Sequence, residues 1–268
     1  MPERRRLSPG KGKNKVERKI ALVTGAGRGI GRGIAIRLAR AGYDVGIHYG
    51  TSADGARETA QACQALGART ELFQADIRHV EEIHAMFAAF EEKFDHLDLM
   101  VNNAGITRFQ PFLEATEEMF DTVISTDLRG TYFCAQAAAR NMVAHGVKGV
   151  IVNISSNHGQ GCWPTASFYA AAKAGVDKMG QNMAMELAPY GIRVTTIAPG
   201  YTRNRPPKPE GEPWADKIAA RIPAGRFAQP EEIGDAVLFL AGAGYITGVT
   251  LTMDGGALLP VVTENRYT

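Results

Sequence analysis

Residues 20–24 (IALVT) form a short apolar run that passes directly into the glycines at 25, 27, 29, 31 and 33 and then into a helix-forming stretch ending near Ala41. A strand, a glycine turn and a helix in that order constrain the chain strongly. Glycines permit the tight turn, and the helix beyond it begins with N–H groups that no helical carbonyl can reach, so the strand end becomes a place for an anion. The same alternation continues. Residues 45–49 and 70–74 are rich in strand formers, with a helical segment at 52–66 between them. Val80, Ile83, Phe87, Phe90 and Phe94 then recur at intervals of three and four, which places them on one helix face. Further buried strands are expected at 97–101, 150–154 and 193–198, separated by a long helical region and by a helix from about Tyr169 to Leu187. A last helix starts at Pro230, with proline in its first position and Glu231 and Glu232 in its first turn. Apolar strands alternating with helices of about 10–15 residues predict one α/β domain, a doubly wound parallel sheet with helices on both faces and right-handed crossovers.

The net charge of +2 is uneven, with +6 on residues 1–19 and −4 on the rest. A mildly acidic body offers no footprint for nucleic acid, and a basic segment without aromatic residues reads as a solvated extension. Residues 1–18 are therefore expected to be a disordered tail and 19–268 one folded domain. If the tail bound nucleic acid instead, affinity would be salt-sensitive and would vanish on deleting residues 1–18. The tail lacks the apolar core of a secretory signal, and no stretch is apolar over the roughly 18 residues of a membrane span, so a soluble cytoplasmic protein is expected. Cys63, Cys134 and Cys162 are odd in number and without CxxC spacing, which argues against disulfides and zinc, and no metal site is expected. Pro206, Pro207, Pro209 and Pro213 exclude regular structure from residues 201–213. That segment follows a strand's C-terminal end, where open α/β sheets bind ligands, so a substrate-covering loop is expected near 201–217.

Thr24-Gly25-Ala26-Gly27-Arg28-Gly29-Ile30-Gly31 sits where a dinucleotide's pyrophosphate would rest, on a helix N-terminus after a first strand. An acidic residue at the end of the second strand would bind the ribose hydroxyls of NAD and repel the 2′-phosphate of NADP. The chain has Tyr49-Gly50-Thr51-Ser52 there, and Asp44 opens the strand at its other end. Thr51 and Ser52 can donate hydrogen bonds to a phosphate, so NADP is expected in preference to NAD. Further on, Tyr169 and Lys173 lie four residues apart on one helix face, close enough to interact. A free phenol titrates near pH 10, and a neighbouring cation favours its ionised form, which suits it to acid–base work. Ser156 stands at the end of the strand 150–154, thirteen residues before Tyr169, and its hydroxyl can hold a substrate oxygen while Tyr169 transfers the proton. Ser155, its neighbour, carries the same group. His158 either touches the substrate or is a surface or loop histidine, Cys162 precedes the Tyr169 helix at the same pocket, and Trp163 is expected to pack beside it.

Taken in order, TGxxxGxG at 24–31, Asn102-Asn103-Ala104-Gly105, Ser156, Tyr169-x3-Lys173 and Pro199-Gly200 resemble the short-chain dehydrogenase/reductase family over nearly all of residues 20–256. The resemblance implies a Rossmann-type fold and hydride transfer between a nicotinamide and a carbonyl or secondary alcohol of a small-molecule substrate. It also implies that Gly25, Gly29, Ile30 and Gly31 take the pyrophosphate, that Arg28 faces the 2′-phosphate, and that Asp76 and Ile77 meet the adenine. Read without the family, Asp76 would cap the next helix. By the same resemblance Asn103, Ala104 and Gly105 pass close to the cofactor, Pro199 and Gly200 flank the nicotinamide, and Lys173 binds its ribose. The family often places Thr five residues beyond that proline, but this chain has Asn204 there, which leaves Thr202 for the carboxamide. Relatives commonly read Asn-Leu-x-Gly where this chain reads Asp127-Leu128-Arg129-Gly130. Asp127 would accept hydrogen bonds from a relay water and would pair with Lys173. Relatives are usually tetramers joined through the helices around Asp127 and Tyr169. For the substrate, residues 222–232 and 245–248 are similar to 3-oxoacyl carrier-protein reductases, and 153–164 is similar to sugar dehydrogenases, with the first preferred. A nucleotide-sensing protein without turnover is the alternative of another class. Asp127 encourages it, and intact Ser156, Tyr169 and Lys173 oppose it.

Overall fold

A computed structural model describes residues 18–205 and 211–259. Seven strands form one sheet in the order β3-β2-β1-β4-β5-β6-β7. They are β1 (Ile20–Val23), β2 (Asp44–Tyr49), β3 (Thr70–Gln74), β4 (Leu99–Asn102), β5 (Val150–Ile154), β6 (Arg193–Pro199) and β7 (Thr250–Met253), and every pairing is parallel. The crossovers are α1 (Gly29–Arg40), α2 (Ala53–Ala65), α3 (Val80–Lys93), α4 (Glu117–Val123) with α5 (Thr131–Ala144), α6 (Ser167–Leu187), and α7 (Pro213–Ala219) with α8 (Pro230–Gly242).

Helices pack on both faces of the sheet, and the side chains of each strand alternate between the two cores so formed. In β1, Ala21 and Val23 join Ile34, Leu38 and Val237 on one face, while Ile20 and Leu22 join Phe73, Ile83 and Phe90 on the other. The face of α3 anticipated from its spacing is where Ile83, Phe87 and Phe90 are buried, with Phe94 just past its end. β1 lies between β2 and β4, so the chain reverses its direction of travel across the sheet there and opens a crevice at the strands' C-terminal ends.

Three features differ from the sequence expectation. β7 adds a strand of only four residues, all half-buried, that exists by pairing with β6. Within the segment expected to be a loop, residues 213–219 are helical, with Pro213 at the helix start, where its missing N–H costs nothing. Arg18, counted with the tail, belongs to the folded domain, since its guanidinium lies 2.8 Å from Asp44 and donates to the Tyr43 carbonyl at 3.0 Å. The rest of the expected tail, residues 1–17, and Pro206, Pro207 and Pro209 lie outside the described residues. Among the described residues no helix is long and apolar enough to cross a membrane.

Candidate active site

The glycine turn is tied to the neighbouring strand by Thr24 and Asn103. The Thr24 hydroxyl accepts the amide N–H groups of Asn103 and Ala104, each at 3.0 Å, and the Asn103 side-chain amide donates to the Thr24 carbonyl at 2.9 Å. Gly25 has φ +64°, a conformation that a side chain disfavours. A Cβ on Gly31 would lie 2.4 Å from the Gly25 carbonyl oxygen, so the backbone approach is possible only for glycine. α1 then begins at Gly29 with no acidic residue in its first turn and no side-chain cap. Its first amides, at Gly29, Ile30 and Gly31, have no carbonyl within the helix to bond, and this bare, positive helix end fits an anionic pyrophosphate.

Around this cradle, Arg28 is exposed and makes no ion pair among the described residues. Tyr49 ends β2, and Thr51 and Ser52 lead into α2, at the rim beside Arg28's turn. Asp76 does not cap α3, whose preceding residue is His79. Its carboxylate instead takes the Arg78 guanidinium at 2.5 Å and the Arg78 amide at 3.0 Å, and the Arg78 bond holds it below the usual carboxylate range. The Ile77 side chain packs into the core against Gly130. His48, to which the sequence motifs assign no role, is buried beneath the turn. Its Nδ1 accepts the Gly25 N–H at 3.1 Å, and its Nε2 lies 3.0 Å from the Ala75 carbonyl. The signal available was a polar residue inside an otherwise apolar buried strand, which must find partners.

On the other side of the crevice, β5 ends in Ser155 and Ser156 and α6 carries Tyr169 and Lys173. The two serines separate by their bonds. The Ser155 hydroxyl donates to the Lys173 carbonyl at 3.0 Å, fastening α6 to β5. The Ser156 hydroxyl accepts the His158 amide at 3.2 Å and lies 3.3 Å from His158 Nδ1. The His158 ring stacks on Trp163 at 4.2 Å between centroids and on Phe109 at 5.6 Å, and it meets Tyr169 edge-on at 5.5 Å. Partial burial pushes the His158 imidazole toward its neutral form. An aromatic wall thus stands beside the Tyr169 phenol and includes Trp163, as expected from the sequence. Cys162, between His158 and Trp163, is exposed.

Asp127 lies where α4 and α5 join through a π-helical turn, Ile124–Gly130. Such turns re-aim side chains that a regular helix would direct elsewhere. The carboxylate is fully buried, with Oδ1 accepting the Ile106 N–H at 2.8 Å and Oδ2 3.2 Å from Lys173 Nζ. Lys173 Nζ also donates to the Ile154 carbonyl at 3.2 Å and lies 5.8 Å from the Tyr169 ring centre. Burial alone would push the Lys173 ammonium toward neutrality, but Asp127 and then Tyr169 outweigh it and raise its pKa. Pro199 ends β6, the Gly200 amide donates to the Met253 carbonyl at 2.9 Å, and Thr202 donates back to the Gly200 carbonyl at 3.2 Å. Asn204 lies over the glycine turn, its Oδ1 3.1 Å from where a Gly29 Cβ would be. The motifs of β1, β4, β5, β6 and α6 therefore lie along the C-terminal ends of the strands.

A family model described as enoyl-(acyl carrier protein) reductase matches residues 25–257. The chain is 38% identical over 240 residues to a 3-oxoacyl-[acyl-carrier-protein] reductase of Staphylococcus aureus, an alignment covering 89% of this chain and 97% of the relative. It is 36% identical over 247 residues to a 2-dehydro-3-deoxy-D-gluconate 5-dehydrogenase of Escherichia coli, covering 91% and 96%. The crystal structure of an acetoin dehydrogenase from Enterobacter cloacae superimposes with a TM-score of 0.85 at 32% identity, covering 94% of this chain and all of that one. The chain belongs to the short-chain dehydrogenase/reductase family and is an oxidoreductase of that family.

Proposed function

We propose that the protein is an NADP-dependent reductase of a small-molecule carbonyl, with a 3-oxoacyl thioester as the preferred substrate class. The observation that carries this reading is the buried constellation of Tyr169, Lys173 and Asp127 beside Ser156, across the crevice from an acid-free helix N-terminus. When bound, the cofactor supplies hydride to the carbonyl carbon. Tyr169 gives its proton to the carbonyl oxygen as that oxygen becomes a hydroxyl, and the Ser156 hydroxyl holds the same oxygen in place. Lys173, paired with Asp127, keeps a positive charge near the phenol. Gly25, Gly29, Ile30 and Gly31 seat the pyrophosphate. Asn103, Ala104 and Gly105 line the cofactor's path, with Pro199, Gly200 and Thr202 at the nicotinamide end. Exposed Arg28, with Thr51 and Ser52, receives a 2′-phosphate where no acid ends β2, and this supports NADP over NAD. The backbone of Asp76 and Ile77 borders the adenine.

The 3-oxoacyl preference draws support from the S. aureus relative, and a sugar or polyol substrate is the second reading, favoured by the gluconate-type relative. A homotetramer joined through α5 and α6 goes with either reading. Ile124, Leu128, Tyr132, Phe133 and Met179 line an apolar hollow between those helices. A cytoplasmic location goes with this chemistry. The test is NADPH oxidation against 3-oxoacyl thioesters, oxo-sugars, simple ketones and quinones. Turnover on a thioester above the others is expected, turnover only on oxo-sugars would select the second reading, and no turnover on any would refute the activity.

A further inference from the structure

In β2, Val45, Ile47 and Tyr49 turn toward one face of the sheet, so His48 turns toward the other, where it is 2% exposed at the strand's C-terminal end. It touches none of the residues assigned to proton transfer. Its hydrogen bonds nevertheless reach both segments on which the adenosine half of a dinucleotide would rest. The ring takes the Gly25 N–H at 3.1 Å, and the His48 carbonyl takes the next amide of the turn, Ala26, at 2.9 Å. On its far side the ring meets the carbonyl of Ala75 at 3.0 Å, immediately before Asp76. A backbone N–H can only donate and a carbonyl can only accept, so both ring bonds require a neutral imidazole protonated on Nε2. Burial favours the neutral form here, against a weaker opposite pull from the Ala75 bond and the Asp76 carboxylate.

Resting on the reading of this crevice as a dinucleotide site, we infer that His48 is a positioning residue that bolts the glycine turn to the end of β3 and so sets the affinity for the adenosine half of the cofactor. Gly25 is the pivot. Its amide plane is fixed by His48 on one side and, through the Thr24 carbonyl, by Asn103 on the other. Loss of the Nδ1 acceptor leaves a half-buried N–H without its partner and frees that plane to rotate, which lowers the population of turns able to seat a pyrophosphate. The nicotinamide end is anchored elsewhere, so the hydride step stays intact once the cofactor is bound.

Two substitutions separate the ring's two bonds. Asparagine places an acceptor close to where Nδ1 was, whereas glutamine reaches toward Ala75 but leaves nothing for Gly25. The full-length native protein, His48→Asn and His48→Gln are titrated calorimetrically with NADPH and with 2′,5′-ADP, which lacks the nicotinamide, and kcat is measured at saturating NADPH. His48→Gln is expected to bind both ligands about 5- to 20-fold more weakly, the lower part of the span for an unpaired amide, because Gly25 is half-buried. Its kcat should stay within about twofold, and His48→Asn should recover affinity to within about threefold of native. Native-like binding by His48→Gln, or a fall in kcat without a fall in affinity, would overturn the inference. The native protein supplies a readout that needs no variant. Imidazole ¹⁵N spectra should show Nε2 protonated and Nδ1 bare at neutral pH, and a protonated Nδ1 would overturn it as well. A native protein that bound neither NADPH nor NADH would sink the functional reading together with this inference, whereas native binding with an unaffected His48→Gln would sink the His48 role alone.

Discussion

Replacing Asp127 with Asn keeps the side chain's size and its acceptor for the Ile106 N–H, and removes the charge facing Lys173. At 3.2 Å, and with an effective dielectric of about 20, that pair attracts by about 5 kcal/mol before the cost of burying both charges is counted. Breaking such a pair from one side costs about 3–5 kcal/mol, because the other charge stays buried without its partner. Lys173 retains the Ile154 carbonyl and can relieve the rest by losing its proton, since burial pushes that way and Asp127 is the strongest group opposing it. Asp127→Asn should therefore be destabilised by up to that amount, and Asp127→Ala by about 1–3 kcal/mol more, because the Ile106 amide also loses its acceptor. Each kcal/mol corresponds to about 2–4 °C in Tm for a chain of this size. The raised Lys173 pKa means that its contribution to native stability is fully present below the unfolded value of 10.5 and fades as pH rises through the folded one. The gap between native and Asn melting temperatures should thus be widest near neutrality and narrow in alkaline buffer. Asp127→Asn should remain active, with the basic limb of its pH–rate profile moved to lower pH, because Lys173 loses its charge sooner. Thermal melts from neutral to alkaline pH, with turnover against pH, check both effects for the three proteins. Superimposable melts and profiles would show that Asp127 is an ordinary helix residue.

Tyr169→Phe keeps the ring and removes the transferable proton, so turnover should fall about 100-fold or more while the NADPH Kd stays near native, as steady-state rates and a binding titration would report. Arg28→Ala should weaken NADPH more than NADH, by about 1.5–3 kcal/mol if the guanidinium bonds the 2′-phosphate directly, and equal losses for the two cofactors would remove Arg28 from that role. The Glu232 carboxyl, held at about 2 by the Arg226 guanidinium and the Gln229 amide at the start of α8, should stabilise the fold above pH 4.5 and lose that effect as pH falls toward 2. Glu232→Gln should accordingly melt earlier than native at pH 7, with the difference vanishing in acid.

Most of the sheet and the reaction class were legible because their signals are local. A fully buried parallel strand is predominantly apolar, so β1, β4 and β5 stand out in one dimension, and the Phe-rich face of α3 follows from helical spacing alone. The glycine turn and the Tyr169/Lys173 pair are short enough to be recognised without knowing what surrounds them. β7 was not legible, because four half-buried residues carry little pattern of their own and become a strand through the neighbouring β6.

By itself, then, the sequence determined the alternation of strands and helices, the anion cradle after β1, and the side chains able to move a proton. Tertiary structure decided how those side chains are used. Only the packing of α6 on β5 commits Ser155 to a backbone carbonyl while leaving Ser156 beside His158 and the aromatic wall. The packing of the π turn against α6 brings Asp127, 46 positions from Lys173 in the chain, to 3.2 Å from its ammonium. His48 became meaningful when β1, β2 and β3 were laid side by side, since its partners, Gly25 and Ala75, lie 23 and 27 residues away. The physical reason is common to all three. A hydrogen bond or ion pair depends on separations of about 3 Å in space, and between residues distant in sequence those separations are set by how the elements pack.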